Sequence, residues 1–284
     1  MKRKLLTLQQ IEKKLSAGYG SGRGINYKPF IKVQNIASST TVSRIRGLKV
    51  KRIYHLFSFL EVACFYIMDS KKLVLDIREQ VPLITLSSTL EIATRLKIVH
   101  PGLYRGGKNP QMMTTDFLVD VMEEGRLRLV ALCVKPSGLL SDKRVKEKLE
   151  IERFYWLERG IDWRIVTEKE IPLDLIKNLQ WLYSARNWYS VEPPYQAELI
   201  TYVEQPLIEA LKNNLPFSII ALAMDKKLVL KPGTCLDVFR YLVALGYWKV
   251  DMLTFIDTAK PISVTQNMKF TVEGGEVGAG YSCN

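Results

Sequence analysis

The chain has 284 residues, 47% of them hydrophobic and 25% charged, which is enough apolar mass for two ordinary domains and too much for a chain disordered throughout. Its net charge of +12 lies in the first fifth: residues 1–55 carry 13 lysines and arginines against one acid, Glu12, whereas residues 56–170 carry 18 against 17 and residues 171–284 carry 10 against 11. Four scattered cysteines without a CxxC pair point to a reducing compartment, the two histidines exclude a His-rich metal cage, and no apolar run approaches the ~18 residues of a membrane span, so no membrane is expected.

The N-terminus, Met1-Lys2-Arg3-Lys4, is basic but is followed by no secretory apolar core, so no export signal is read there. Leu6 to Leu15 has the spacing of a short amphipathic helix, and Ala17 to Gly24 is glycine-rich without the Gly-Lys-Ser/Thr ending of a phosphate-binding loop. Residues 40–53 alternate basic and apolar and read as extended or hairpin structure. With Tyr19, Tyr27 and Phe30 among the cations, this segment suits a polyanion; Lys2, Arg3, Lys4, Arg44, Arg46, Lys51 and Arg52 are the candidate DNA contacts.

Tyr54 to Asp69 is apolar nearly all round and predicts a buried helix. Leu73 to Leu86 reads as one or two strands. Thr114 to Val121 and Arg126 to Lys135 read as strands joined across Glu123-Glu124-Gly125. Ser141 to Arg159 predicts a charged amphipathic helix stopped by Gly160, and Asp162 to Thr167 a further strand. Past Ile171-Pro172 the texture changes. Leu173 to Trp188, Pro194 to Lys212 and Thr234 to Leu245, the last capped by Thr234, read as helices, while Phe217 to Met224 and Lys226 to Leu230 read as paired strands. This predicts an α/β domain over 1–170 and a mostly helical, winged-helix-like domain over 171–284. The near-neutral charge of the second suits a protein partner better than phosphates.

Three residues point to chemistry. Glu61 sits inside an apolar helix, where a carboxylate is costly unless a cation or metal pairs with it; the alternatives are a solvent-facing helix edge or a bridge to an arginine such as Arg78. Asp116 opens one hydrophobic strand and Lys135 ends the next, so both can meet at one sheet edge. Two carboxylates and a lysine so placed suit metal-dependent phosphodiester hydrolysis: the carboxylates hold a hard cation and the lysine offsets developing charge. Period-2 geometry points position 133 at the same place, but Cys133 is a poor partner for Mg²⁺. Arg78, Glu79 and Gln80 are read as a structural ion-pair group or as orienting Glu61 or touching DNA, Glu152 as facing the same site or, preferably, lying on a solvated helix face, and Lys143, Arg144, Lys146 and Lys148 as a phosphate-contacting face or a solvated network.

Six blocks fall in register with one family: Phe59-Leu60-Glu61, Asp76 to Gln80, Thr115 to Val119, Val134-Lys135-Pro136, Lys148 to Trp156, and Trp163 with Val166-Thr167-Glu168. Over residues 1–185 the chain resembles the TnsA family, restriction-endonuclease-like subunits of heteromeric transposases; beyond about residue 190 the likeness is thin. The resemblance implies a PD-(D/E)xK nuclease fold with Glu61, Asp116 and Lys135 as active-site residues. It implies Mg²⁺ or Mn²⁺ held by Glu61, Asp116 and the main-chain carbonyl of Val134, with position 133, usually a glutamine or acid, departing as Cys133. It further implies cleavage of the 5′ strands of transposon-end DNA beside a DDE-type transposase, TnsB, and an AAA+ ATPase, TnsC, bound through the C-terminal domain. The setting implied is the bacterial cytoplasm, at the nucleoid. Two rival readings are a non-catalytic adaptor between DNA ends and the ATPase, with Cys133 marking a decayed site, and a self-contained restriction or repair endonuclease.

Overall fold

The computed structural model describes residues 6–35, 42–103, 107–186 and 193–270; Lys2, Arg3 and Lys4 lie outside them. The chain divides into two compact units, Met1–Asp69 with Leu73–Ile171, and Ser70–Lys72 with Pro172–Asn284.

The first unit opens with α1 (Leu8–Ser16), nucleated by a capping box in which Thr7 Oγ1 accepts from Gln10 N and Gln10 Oε1 accepts from Thr7 N. The glycine-rich stretch then passes close to β3 (Val74–Pro82). At Gly20, φ is +85° and a Cβ would stand 2.2 Å from the Pro82 ring, so only glycine fits. The strands β1 (Ser43–Arg46) and β2 (Ile53–Leu56) pair antiparallel. The buried helix α2 runs over Phe59–Ser70. It therefore starts later than its apolar composition suggests: Tyr54, His55 and Leu56 belong to β2, with Tyr54 and Leu56 fully buried.

After β3 comes α3 (Leu86–Arg95), for which the sequence reading has no element. β4 (Thr114–Glu123) and β5 (Arg126–Val134) form the expected hairpin, and both turn residues, Glu124 and Gly125, have positive φ as a tight two-residue connection requires. α4 (Lys143–Leu157) is capped by Asp142, which accepts from Val145 N at 2.8 Å, and Gly160 at φ +65° ends it. α4 crosses back to β6 (Asp162–Val166), which lies parallel to β5. The sheet order is β3-β4-β5-β6, antiparallel except for that last pair. Val81, Leu83, Leu118 and Ala131 of this region meet Ile92 and Ala93 of α3 and Ile151, Tyr155 and Trp156 of α4 in one apolar core. The unit is a mixed α/β structure.

The second unit is mostly helical: α5 (Leu173–Tyr183), α6 (Pro193–Leu211), α7 (Phe217–Lys227) and α8 (Thr234–Ala244), with two-residue strands β7 (Trp248–Lys249) and β8 (Thr265–Gln266) paired antiparallel. The expected strand pair over 217–230 is absent, because Phe217, Ile220, Ala221 and Met224 bury one helical face of α7 in the core formed with Val203, Leu207, Val238 and Phe239. Nor is Thr234 the cap of α8. Gly233 holds that position, and Asp225 at the end of α7 accepts from Gly233 N and Cys235 N at 2.7 and 2.9 Å, doing a cap's work from another helix. Among the described residues no helix is long and apolar enough to cross a membrane.

Candidate active site

The antiparallel register of β4 and β5 pairs Phe117 with Leu132, which sets Asp116 beside the end of β5. Asp116 Oδ2 accepts hydrogen bonds from the Val134 main-chain N at 2.8 Å and from Lys135 Nζ at 2.7 Å, and the same Nζ donates to the Val134 carbonyl at 2.9 Å. Burial works against the charge on Lys135, but the adjacent Asp116 carboxylate outweighs it and raises the lysine pKa, so the side chain stays an ammonium.

Glu61 reaches this neighbourhood from the first turn of α2. It is only 6% exposed, and its carboxylate is held by Phe57 N at 3.0 Å and Ser58 Oγ at 3.2 Å while Ser58 Oγ caps Glu61 N at 3.1 Å. The Ser58-x-x-Glu61 spacing is close to a capping box, and it explains both the helix start and the carboxylate's orientation. Burial first, and then the nearby Asp116 charge, hold Glu61 well above the usual carboxylate range, with Lys135 opposing. Arg78 is not its partner; it pairs with Asp120 and Asp76.

Residues 71–168 match the family model described as TnsA-like endonuclease N terminal, and residues 170–252 match TnsA endonuclease C terminal. A curated relative, transposon Tn7 transposition protein TnsA of Escherichia coli, is 38% identical over 245 residues, covering 86% of each chain. The chain belongs to the TnsA endonuclease family.

Asp116 and Lys135 lie inside the first matched segment of this TnsA family member, and Glu61 lies ten residues before it. Cys133 is 1% exposed, and burial, then Glu152 and Asp116, push its thiol far up, so it faces the site protonated. For Glu152 the preferred expectation, a solvated helix face, is overturned. It is 5% exposed, not solvated; its Oε1 accepts from Thr115 Oγ1 at 2.9 Å and Trp163 Nε1 at 3.2 Å, and Trp156 Nε1 donates to the same Thr115 hydroxyl at 2.6 Å. Burial and then Asp116 push Glu152 up to about 7. Its position was legible: Leu149, Glu152, Tyr155 and Trp156 follow the three- and four-residue steps of one helix face.

Among the described residues no group of three or more His, Cys, Asp or Glu side chains is arranged to hold a metal ion. Asp116 Oδ2 and the Val134 carbonyl nevertheless converge on one cationic atom, Lys135 Nζ. Two hard oxygens at one point fit Mg²⁺, which binds through one or two carboxylates and keeps most of its waters, whereas a protonated Cys133 thiol adds nothing to such a set.

The candidate DNA contacts divide. Arg44, Arg46 and Lys51 are exposed along and after β1. Arg52 is buried and belongs to the interior: its guanidinium makes two bonds to Glu79, at 2.9 and 2.5 Å, a third to the Ile77 carbonyl at 2.7 Å, and lies 3.7 Å from the Tyr54 ring centroid. Glu79 and Arg78 are thus structural ion-pair residues. On α4, Lys143, Lys146 and Lys148 are exposed, while Arg144 bonds Glu147 at 2.7 Å.

Proposed function

We propose that the chain is the metal-dependent endonuclease subunit of a heteromeric cut-and-paste transposase, hydrolysing the 5′ strands at transposon ends. The observation that carries this reading is the convergence of Asp116, Lys135 and the Val134 carbonyl at the open end of the β4–β5 hairpin, with the buried Glu61 near enough for the Asp116 charge to add to burial in raising its pKa. Asp116 and the Val134 carbonyl, joined by Glu61, would hold Mg²⁺ or Mn²⁺. Such an ion, when bound, supplies Lewis acidity and lowers the pKa of attacking water. Lys135 remains protonated and offsets the negative charge that grows on the phosphoryl oxygens. Exposed Arg44, Arg46 and Lys51 contact the backbone of transposon-end DNA.

A PD-(D/E)xK assignment for residues 1–170 draws support from α2 preceding a mixed four-stranded sheet with an α4 crossover. Residues 171–284 form the partner-binding domain, for an AAA+ ATPase of the TnsC kind, while a DDE-type transposase of the TnsB kind cuts the other strands. Its near-neutral charge and the exposed apolar side chains Ile219 and Leu222 on α7 favour a protein partner. A winged-helix-like arrangement there rests on α6 to α8 followed by the β7–β8 pair. The protein works in the bacterial cytoplasm, at the nucleoid. Cys133, in place of an oxygen ligand, favours a second reading as a non-catalytic adaptor.

Asp116→Ala separates the two. In a reconstituted transposase the variant folds, binds DNA and makes no 5′-strand cuts; full retention of those cuts refutes the nuclease reading, and wild-type chain that makes none supports the adaptor.

A further inference from the structure

Gln80 ends the run Asp76-Ile77-Arg78-Glu79-Gln80, and nothing in the chemistry above uses it. Its backbone stands at φ +52°, in the left-handed region that non-glycine residues rarely adopt, and it does so inside strand β3. Glu79 and Val81 pair with Phe117 and Thr115 of β4, so Gln80 lies across from Asp116. The N-terminal segment holds the turned backbone in place: Phe30 N donates to the Gln80 carbonyl at 3.3 Å, and Tyr27 Oη to the Glu79 carbonyl at 3.0 Å.

The side chain is 1% exposed and aimed. Its Nε2 donates to Asp116 Oδ1 at 3.5 Å, the acceptor-only carboxylate selecting the NH₂ end of the amide, and its amide oxygen then accepts from Thr114 Oγ1 at 3.3 Å. Asp116 Oδ2 is already taken by Val134 N and Lys135 Nζ. The carboxylate is therefore gripped at both oxygens, from β5 on one side and from Gln80 on the other.

We propose that Gln80 is a positioning residue of the nuclease site, its amide holding Asp116 Oδ1 so that the carboxylate presents one fixed orientation. A residue needed here only for its backbone conformation would be glycine, or asparagine, which tolerates left-handed backbone. Strained backbone persists where surrounding contacts over-determine it and clusters at functional sites. This assignment rests on the nuclease reading.

The test pairs single-turnover 5′-strand cutting by the reconstituted transposase on transposon-end duplex with the Tm and DNA affinity of the full chain. Gln80→Gly relieves the backbone and removes the amide. Gln80→Asn suits the backbone but holds its amide one methylene short. For both, Tm stays level or rises, DNA affinity is unchanged, and cutting slows at least about tenfold, since misplacing reacting groups by about 1 Å costs ~100-fold. Wild-type cutting by either folded variant overturns the proposal. So does a fall in Tm in both variants that accounts for the lost cutting, because that is the signature of a structural role. Asp116→Ala runs alongside: if it still cuts, the nuclease reading itself has failed; if it is inactive while the Gln80 variants cut normally, only the Gln80 assignment falls.

Discussion

Replacing Arg52 by alanine strands the Glu79 carboxylate inside the first unit. The Arg52 side chain is 6% exposed and that of Glu79 0%. After the substitution Glu79 keeps the His55 main-chain N at 3.2 Å and loses both guanidinium bonds. Removing one partner of a buried pair costs about 3–5 kcal/mol, because the other charge stays desolvated and uncompensated. Loss of the cation–π contacts to Tyr54 and Tyr27 adds about 1–2 kcal/mol. A loss of about 4 kcal/mol or more, at roughly 2–4 °C per kcal/mol for a unit of this size, lowers Tm by about 10 °C. Thermal and urea unfolding read this directly, and fluorescence anisotropy at a temperature where the variant is folded finds DNA affinity unchanged. The double variant Arg52→Met, Glu79→Leu recovers most of the stability, since an apolar pair of similar volume carries no stranded charge. An Arg52→Ala protein that melts with wild type but binds DNA weakly, with a shallower salt dependence, refutes this reasoning and returns Arg52 to the DNA surface.

Arg44→Ala and Lys51→Ala have the opposite profile: Tm unchanged, DNA binding weakened evenly across sequences, and the slope of log K against log salt reduced by about one for each lost phosphate contact. Steep sequence dependence in the loss contradicts a backbone-contact role. Glu152 gives a pH signature. Its carboxyl, raised from 4.5 to about 7 by burial and then by Asp116, keeps in the folded state a proton that the unfolded chain gives up. Folded protein therefore binds more protons between those values, and stability falls as pH rises from about 4.5 to 7, by ~3 kcal/mol in total. Glu152→Gln keeps an acceptor oxygen for Thr115 and Trp163 but lacks this slope; urea unfolding in chelator finds the variant gaining on wild type across that window and level above it, and parallel curves rule the burial argument out. Gly20→Ala places a methyl 2.2 Å from the Pro82 ring on a backbone at φ +85°, and costs about 2 kcal/mol or more in the same assay; unchanged stability refutes the close approach.

The open end of the β4–β5 hairpin is legible in the sequence because a hairpin is a local event. Glu124-Gly125 fixes the turn, the turn fixes the register, and the register brings Asp116 to Lys135. Arg52 was illegible for the converse reason. Alternating basic and apolar residues over 40–53 suggest cations facing out, yet Arg52, in the bend just before β2, and Tyr54 within it are both buried, and Ile53 between them is the residue left 41% exposed. Only the distant Glu79 makes that register favourable. The helix over Phe217–Lys227 was missed because a short, continuous apolar run with two isoleucines fits a buried strand as well as a helix, and the Ile220, Ala221, Met224 face becomes distinctive only when α6 and α8 are there to cover it. For Glu152 its charge favours a solvated face, although its spacing sets it among Leu149, Tyr155 and Trp156.

The most direct measurement is anomalous diffraction from Mn²⁺-soaked crystals of the chain bound to transposon-end DNA. A peak is expected about 2.1 Å from Asp116 Oδ2 and the Val134 carbonyl, with Glu61 beside it and Lys135 moved from its position between those two oxygens. No peak at Asp116, with Lys135 still bridging it to Val134 in the presence of DNA, contradicts a metal-dependent nuclease.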